Sequence, residues 1–440
     1  PELTPDPTLQ ARFDTGKRVG DRARQEFRGA TLIELDHRAP EQAVEANRRA
    51  IAQGATAILE ASFLEDNIFV AVDALEKEAD AWVLTEVKAA GSVKSQYLPD
   101  AAVQAHVVEK AGLPVARVEL MHLNTQHRHP DHGPLFTRAD ITPLIREHRR
   151  TIPAEASAQL RMLEGPLPDV EPGPHCTSPY DCPFLGRCTD PAPAHTVEGL
   201  YYLSANKRTE LHDAGVRTID QIPSDFPLSK IQRRQRTAVL GNALVIEPGL
   251  ARALAAYRHP IAMLDFETIN PALPQWDGCT PFGKVPVQFS VHTIAADGRV
   301  LHRAYLAEGQ GDPRPGVAEA LAEALRDAST ILAWNASFEK ECLTILAESA
   351  PEHAAALHEA RAKVGDLLPV VRNHLYHPDF NGSFSIKSVV PALLSNPGYD
   401  DLEVSDGETA ASLLEALLCR AETLTAEQTR ALRAQLLAYC

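Results

Sequence analysis

Two apolar, strand-like parts of this 440-residue chain carry charged side chains at alternate positions. In the first, Asp73 lies within FVAVDAL, and Glu86 and Lys88 are two apart in WVLTEVKAA. In the second, Asp265 and Glu267 are two apart in MLDFETI. Successive side chains of a strand point to opposite faces, so each pair of charges shares one face. Charges on an apolar strand are costly unless they are paired or used, which indicates two polar sites.

Strand-like and helical patterns alternate along the chain, which predicts an α/β fold. The runs 68–76 and 82–89 are separated by a short polar turn and predict a β-hairpin. Residues 100–111 have the spacing of a helix that follows this hairpin. The proline-rich stretch 166–174 predicts a linker, and a second α/β segment begins at 260. The length favours two or three domains.

The first group of charges suits phosphodiester chemistry. Asp73 and Glu86 offer the oxygen ligands that Mg²⁺ prefers, and Lys88 can position a water beside a phosphate. Together they predict metal-assisted hydrolysis of a phosphodiester. Glu60, in ILEASF before the hairpin, is a further acidic candidate. The alternative is a solvent-facing strand edge with an ordinary Glu–Lys pair.

The order of Asp73, a hairpin turn, Glu86-x-Lys88 and a helix with Gln104 resembles the PD-(D/E)XK nuclease superfamily. More narrowly, it resembles the RecB-type branch that includes CRISPR-associated iron–sulfur exonucleases. The resemblance implies a restriction-endonuclease-like domain with Mg²⁺ or Mn²⁺ on Asp73 and Glu86. It also implies catalytic roles for Lys88 and Gln104. In this branch an aromatic residue follows the Gln by four positions, whereas Val108 stands there in this chain.

Three cysteines lie close together in HCTSPYDCPFLGRC, where Cys176, Cys182 and Cys188 follow a C-x5-C-x5-C spacing. In a cytosolic chain such a group favours metal binding over disulfides. Three thiolates and one further ligand suit a 4Fe–4S cluster, and three unrelated thiols are the alternative. The other cysteines are assigned to another domain and are poor substitutes for the missing ligand: Cys279, Cys342, Cys419 and Cys440.

RecB-type nucleases with an iron–sulfur cluster have three cysteines just after the nuclease core and one before it. No cysteine precedes Cys176 in this chain. The resemblance therefore implies a 4Fe–4S cluster whose fourth ligand lies outside this chain. The start at Pro1 rather than at Met favours truncation there.

The middle of the chain offers candidate contacts to nucleic acid. Residues 211–223 have a helix–Gly–helix pattern that resembles a helix–hairpin–helix element. The following run SKIQRRQR carries Lys230, Arg233, Arg234 and Arg236, which we expect to contact backbone phosphates. The alternative is an ordinary connecting helical hairpin with a solvated face.

The second group of charges resembles the start of DEDD exonucleases of the RNase H-like fold. There an opening strand delivers a D-x-E pair, here Asp265 and Glu267, to a two-metal site. The run ILAWNASFEKECL resembles the second DEDD motif, with Asn335 retained and Glu339 in place of the usual Asp. The resemblance implies metal ligation by Asp265, Glu267 and Glu339. For Asp366, in VGDLLPVV, the resemblance implies a supporting role.

The end of the chain resembles the last DEDD motif. The run 382–394 resembles the serine–leucine–lysine helix found late in such domains. In RALRAQLLAYC, Tyr439 stands where the resemblance implies a catalytic Tyr that orients the attacking water. The final acid would fall four positions later, outside this chain. Asp406 before the preceding helix is the alternative.

Composition excludes several other classes. The net charge of −16 argues against a general affinity for nucleic acid, although acidic metal sites contribute to it. The longest apolar runs, such as 70–72 and 331–334, are far too short to span a bilayer. No secretion signal opens the chain, which predicts a cytoplasmic location. No Walker-type loop is present, so a helicase partner would be a separate protein.

The whole layout resembles a bacterial family that joins a RecB-like nuclease and an iron–sulfur segment to a DEDD-type domain. We expect these segments at 1–165, 166–195 and 259–440, with a helical linker at 196–258. The resemblance implies a metal-dependent nuclease that acts on DNA. Its substrate would be single-stranded DNA in repair, recombination or defence. The alternatives are a catalytically impaired nucleic-acid-binding scaffold and an exonuclease that processes RNA.

Overall fold

The predicted α/β class is confirmed by the structure, a computed structural model. The chain forms two compact units, of which unit 1 contains 1–189 and 271–283, and unit 2 contains 190–270 and 284–440. The four-segment division of the chain stays a prediction, and residues 190–192 of its iron–sulfur segment lie outside the described residues. The structure describes these residues: 4–34, 39–189, 193–394, 404, 406–420 and 424–440.

Unit 1 is built on a six-stranded mixed sheet in the order β1-β2-β3-β4-β5-β6. The β1–β2 and β4–β5 pairs are parallel, and the other pairs are antiparallel. Its strands are β1 (Thr31–Leu32), β2 (Ala57–Glu65), β3 (Ile68–Glu78), β4 (Ala81–Lys88), β5 (Val115–Leu123) and β6 (Phe136–Asp140). The predicted hairpin is therefore present as β3 and β4.

Helices cover both faces of this sheet, so the unit has two apolar clusters. One cluster includes buried residues of α2, α3 and α4. The other includes Val19 and Ala23 of α1 together with Ala272 of the segment 271–283. The helices of unit 1 are α1 (Pro7–Ala23), α2 (Pro40–Ala52), α3 (Leu98–Lys110), α4 (Arg146–Glu164) and α5 (Leu185–Cys188).

Unit 2 contains a five-stranded sheet in the order β10-β9-β8-β11-β12, and β7 pairs with β13 in a small second sheet. Parallel pairing of β8, β11 and β12 brings the carboxyl ends of these strands to the same edge. The strands are β7 (Val245–Ile246), β8 (Ile261–Ile269), β9 (Val285–Ile294), β10 (Val300–Leu306), β11 (Thr330–Ala333), β12 (Val364–Asp366) and β13 (Leu375–Tyr376).

Ten helices are described in unit 2. They are α6 (Ala205–Asp213), α7 (Lys230–Gly241), α8 (Leu250–Leu254), α9 (Arg314–Leu325), α10 (Ser337–Ser349), α11 (Ala354–Lys363), α12 (Leu368–His374), α13 (Ile386–Leu393), α14 (Gly407–Cys419) and α15 (Ala426–Tyr439). Among the described residues, none of the helices is both long enough and apolar enough to cross a membrane.

The predicted helix–Gly–helix element differs in its second half. After α6, Gly215 adopts a left-handed φ of 75°, and a short 3-10 turn follows at Ile219–Gln221. Ile222 is extended because it precedes Pro223, which disfavours the helical conformation. The element is therefore an α-helix followed by one 3-10 turn.

Candidate functional site

The first group of charges lies on the adjacent strands β3 and β4 of unit 1. The Asp73 carboxylate accepts a hydrogen bond from the backbone N–H of Val87 at 2.7 Å and bonds to the side chain of Glu86. Lys88 Nζ lies 2.6 Å from Glu86 Oε1, and Glu86 is buried at 5% exposure. The strand alternation thus places Glu86 and Lys88 together, as the sequence predicts.

Helix α3 and the 3-10 turn before it complete this group. Gln104 Nε2 donates to Glu86 Oε2 at 2.7 Å, so the predicted Gln does contact the predicted acid. Asp100 Oδ2 lies 2.6 Å from Lys88 Nζ, which stands 5.6 Å from the centre of the Tyr97 ring. Asp100 and Tyr97 were not among the residues predicted from the sequence. Asp100 precedes Gln104 by about one helical turn and Tyr97 by about two. This spacing indicates that the three side chains share one face.

The electrostatics of this group oppose ionisation of both acids. Burial raises the pKa of Asp73 to about 6. Burial and the charge of Asp73 raise the pKa of Glu86 well above its ordinary value, although Lys88 partly opposes this. Gln104 Oε1 is buried and has no hydrogen-bond partner in the described part of the chain. Crowded acids beside an unpartnered oxygen acceptor are a donor set that fits Mg²⁺ or Mn²⁺.

Glu60 adds a further acid near Asp73. It lies in β2 with a left-handed φ of 55°, and its negative charge contributes to the raised pKa of Asp73. Arg24 Nη2 lies 2.6 Å from Glu60 Oε1. Arg24 belongs to a short 3-10 turn at Arg24–Glu26 that follows α1, and no motif in the sequence indicated its role.

Replacing Asp73 by Asn is expected to stabilise the metal-free protein at high pH. The folded pKa of about 6 lies above the ordinary 3.8, so the stability that the neutral carboxyl contributes is lost as pH rises through 6. Asn stays neutral at every pH. We expect a gain of about 1–3 kcal/mol near pH 8 and none below pH 3.8, measured by thermal unfolding in EDTA.

Asp80→Asn is the matched control for this prediction. Asp80 is exposed in the turn between β3 and β4, so its replacement removes no buried charge. Its substitution should leave the unfolding temperature unchanged at both ends of the pH range. If Asp73→Asn proves less stable than the wild type at high pH, the ionised carboxylate contributes to folding and the prediction is wrong.

The second group of charges lies on β8 of unit 2. Asp265 is exposed and Glu267 half-buried, whereas Phe266 between them is buried at 2% exposure. One carboxylate oxygen of each acid and the Sγ atom of Cys440 all lie within 4.8 Å of one another. Burial, followed by the charge of Asp265, raises the pKa of Glu267 to about 8.

Glu339 on α10 is the third predicted acid of this site. It is buried at 3% exposure, and its Oε2 atom has no hydrogen-bond partner among the described residues. Burial, together with the charges of Asp265 and Asp366, raises the pKa of Glu339 to about 7. The structure therefore brings Glu339 into electrostatic contact with Asp265. An orphaned carboxylate oxygen beside two further acids again fits a divalent cation.

Asp366 and Asn335 shape the loop that precedes α10, the helix on which Glu339 lies. Asp366 is the last residue of β12 and accepts hydrogen bonds from the backbone N–H groups of Asn335 at 3.1 Å and Leu368 at 3.0 Å. Asn335 adopts a left-handed φ of 66° between β11 and α10. These contacts position the loop, and the supporting role of Asp366 in a metal site stays a prediction.

Helix α15 delivers Tyr439 and Cys440 to this site. Gln288 Nε2 of β9 donates to the carbonyl of Leu436 at 2.7 Å, and Arg433 donates to the carbonyl oxygens of Leu306 and Ala307. The Tyr439 hydroxyl lies 3.2 Å from Lys387 Nζ of α13. Lys387 was not among the residues predicted for this site, although it lies within the run 382–394 that resembles a late helix of such domains.

Asp406, the alternative last acid, is the N-cap of α14. Its Oδ1 atom accepts hydrogen bonds from the backbone N–H groups of Glu408 and Thr409, each at 2.9 Å. Oδ2 accepts from the Thr409 hydroxyl at 2.7 Å. These bonds hold the pKa of Asp406 below its usual range. Both oxygens thus serve to cap the helix.

The three clustered cysteines lie in one segment of unit 1: Cys176 ends a 3-10 turn, Cys182 follows in the loop and Cys188 ends α5. The backbone N–H of Cys182 donates to the carbonyl of Cys176 at 2.7 Å; both residues are half-buried, and Cys188 is exposed. The iron–sulfur cluster stays a prediction. The assignment of Cys279 to another domain is wrong, because the segment 271–283 packs as part of unit 1, where Cys279 is buried.

The predicted contact with backbone phosphates is wrong for Arg234. This residue is 3% exposed, its Nε lies 3.0 Å from Glu247 Oε1, and its guanidinium also donates to two carbonyl oxygens at the end of α12. An arginine in this position stabilises the fold and cannot reach a phosphate. Lys230 and Arg233 are exposed and Arg236 is half-buried, so their contact with nucleic acid stays a prediction.

Comparisons with known proteins are sparse. A family model described as "Domain of unknown function (DUF2779)" matches residues 262–385, from β8 to the residue before α13. No curated protein matches the chain at a significant level. A solved structure described as "ExoI/SSB-Ct complex" matches 39% of this chain and 42% of that chain, with 14% identity and a TM-score of 0.23. A TM-score this low establishes neither fold nor function.

Proposed function

We propose that the protein is a metal-dependent nuclease that hydrolyses phosphodiester bonds of single-stranded DNA, with one site in each unit. Unit 1 would have the PD-(D/E)XK fold of RecB-type nucleases. Unit 2 would have the RNase H-like fold of DEDD exonucleases, which trim 3′ ends. The observation that carries the proposal is the same in both sites. Carboxylates crowd together beside a buried oxygen atom that has no partner among the described residues.

The acids of each unit would form the ligand set of the metal ion. Asp73 and Glu86 would hold the ion in unit 1, and Asp265, Glu267 and Glu339 would hold it in unit 2. A bound divalent ion would polarise a phosphoryl oxygen and generate a hydroxide nucleophile. The raised pKa values of Asp73, Glu267 and Glu339 support this arrangement, because a cation relieves the mutual repulsion of buried carboxylates.

Other side chains would act on the substrate directly or position the acids. The Lys88 ammonium, beside Glu86 and Asp100, would neutralise charge on the scissile phosphate and position a water. Gln104 would orient Glu86 through its hydrogen bond. In unit 2, the Tyr439 hydroxyl, held near Lys387, would orient the attacking water.

The predicted 4Fe–4S cluster on Cys176, Cys182 and Cys188 belongs to this proposal as a structural element. Such a cluster needs one more ligand than these three cysteines supply. Iron and acid-labile sulfide in protein purified without oxygen would support it, and their loss in Cys182→Ser would assign it to this loop. A helicase, if one takes part, would be a separate chain.

The test of the proposal is hydrolysis of end-labelled single-stranded DNA by the full chain with Mg²⁺ or Mn²⁺. We expect degradation that EDTA stops and that the double variant Lys88→Ala/Asp265→Asn lacks. Equal degradation by the double variant would overturn the proposal. A matched RNA oligonucleotide separates the alternatives, since hydrolysis of RNA alone would overturn the assignment to DNA. Metal binding without hydrolysis of either substrate would favour the scaffold.

A further inference from the structure

A thiol accompanies the carboxylates of the unit 2 site. The Sγ atom of Cys440 lies within 4.8 Å of one oxygen of Asp265 and one of Glu267. Cys440 directly follows α15, and the contact between Gln288 and the Leu436 carbonyl ties that helix to β9. The packing of the helix on the sheet therefore sets the position of the thiol. The sequence placed the neighbouring Tyr439 in this site but assigned no role there to the Cys440 thiol.

A second observation at this site points to a cation. The buried Oε2 atom of Glu339 has no hydrogen-bond partner in the described residues, and Glu339 senses the charge of Asp265. A buried oxygen acceptor without a donor is costly, and a cation bound beside it would offset that cost. A buried acceptor atom without a partner among the described residues therefore accompanies the group of Asp265, Glu267 and Cys440.

The donor atoms suit two classes of ion differently. Mg²⁺ takes oxygen ligands in a near-octahedral shell and has little affinity for sulfur. Zn²⁺ and similar ions accept thiolate together with carboxylate oxygen in a tetrahedral shell, often with one open position. Two carboxylates and one thiolate are therefore three ligands for a soft ion, whereas a hard ion would use the carboxylates alone.

We infer that Asp265, Glu267 and Cys440 form a site for a thiophilic divalent cation of the zinc class, which competes there with Mg²⁺ or Mn²⁺. When the ion binds, the S–H bond of Cys440 breaks, a sulfur–metal bond forms and the proton passes to solvent. The identity of the displaced ion rests on the proposed function, whereas ligation by the thiol does not. A bound cation of the zinc class would use the carboxylates that hydrolysis needs.

Displacement of Mn²⁺ by Zn²⁺, followed by electron paramagnetic resonance, tests the inference. The full chain carries Asp73→Asn, which leaves unit 2 as the Mn²⁺ site. We expect Cys440→Ser to bind Mn²⁺ as the parent does, but to need about 10–100 times more Zn²⁺ for displacement, the scale seen when a metal site loses a supporting group. Cys419→Ser, at the end of α14, is the matched control and should behave as the parent.

A second measurement distinguishes failure of the proposed function from failure of the thiol site. Cd²⁺ bound to a thiolate absorbs in the near ultraviolet, and we expect Cys440→Ser to lose one equivalent of this absorption while Cys419→Ser keeps it. If the parent binds no Mn²⁺ but shows the Cys440-dependent absorption, the proposed function fails and the thiol site stands. If Zn²⁺ displaces Mn²⁺ equally well from Cys440→Ser and from the parent, or if the absorption does not depend on Cys440, the inference is overturned.

Discussion

Asp265→Asn is expected to lower 3′-end hydrolysis of single-stranded DNA by more than about 100-fold, beyond the range for losing a supporting group around a metal. Asp265 links the acids of the unit 2 site, because its oxygen neighbours that of Glu267 and its charge reaches Glu339. The amide keeps the size of the side chain and removes the charge that would hold the cation. Shortening of 5′-labelled single-stranded DNA by the protein in a Lys88→Ala background measures the effect.

Two comparisons isolate the cause of this loss. Asp327→Asn removes an exposed acid of unit 2 that follows α9 and should leave the rate unchanged. The unfolding temperature of Asp265→Asn in EDTA should not fall, because Asp265 is exposed on β8 and its loss relieves repulsion with Glu267. A variant that is fully folded and hydrolyses DNA at the parent rate would remove Asp265 from the site.

Lys88→Ala is expected to lower hydrolysis by the unit 1 site by about 10²–10⁴-fold, the usual contribution of a positioned group that acts on protons or charge. Its Nζ atom lies 2.6 Å from both Glu86 Oε1 and Asp100 Oδ2, so one cation joins the strand and the helix. These carboxylates raise the pKa of Lys88 against the effect of burial, which keeps it charged. The rate in an Asp265→Asn background measures the effect.

Lys88→Arg distinguishes a chemical role from a structural one. The guanidinium keeps the positive charge between Glu86 and Asp100 but is planar and larger than the ammonium. We expect it to preserve the unfolding temperature while the rate stays low. Lys94→Ala, which removes an exposed lysine before α3, should leave both quantities unchanged. Recovery of the full rate in Lys88→Arg would show that charge alone is needed at this position.

Much of the first site could be predicted because it depends on local geometry. Alternation along β4 places Glu86 and Lys88 on one face whatever the rest of the chain does. Contact between Gln104 and Glu86 also follows once a helix packs on that face. Asp100 and Tyr97 were missed because their position depends on how α3 and the turn before it approach Lys88.

The basic run shows where local reasoning fails. Arg233 and Arg234 are neighbours in a polar sequence, and composition predicts that both face solvent. On α7 they point in different directions, because successive residues of a helix are about 100° apart. Arg234 therefore enters the interior, where Glu247 and the carbonyl oxygens at the end of α12 pair with its charge. The partners are distant in sequence, so no local pattern marks them.

The sequence by itself determined the α/β class, the β3–β4 hairpin and the two alternating groups of charge, because strand periodicity is a property of consecutive residues. Only the tertiary structure decided the contacts that no motif marked. It brought Asp100 to Lys88 and the Cys440 thiol to the acids of β8, and it included Cys279 in unit 1. The reason is physical: such contacts arise when buried faces of separate elements pack together, and that packing depends on the whole set of side chains.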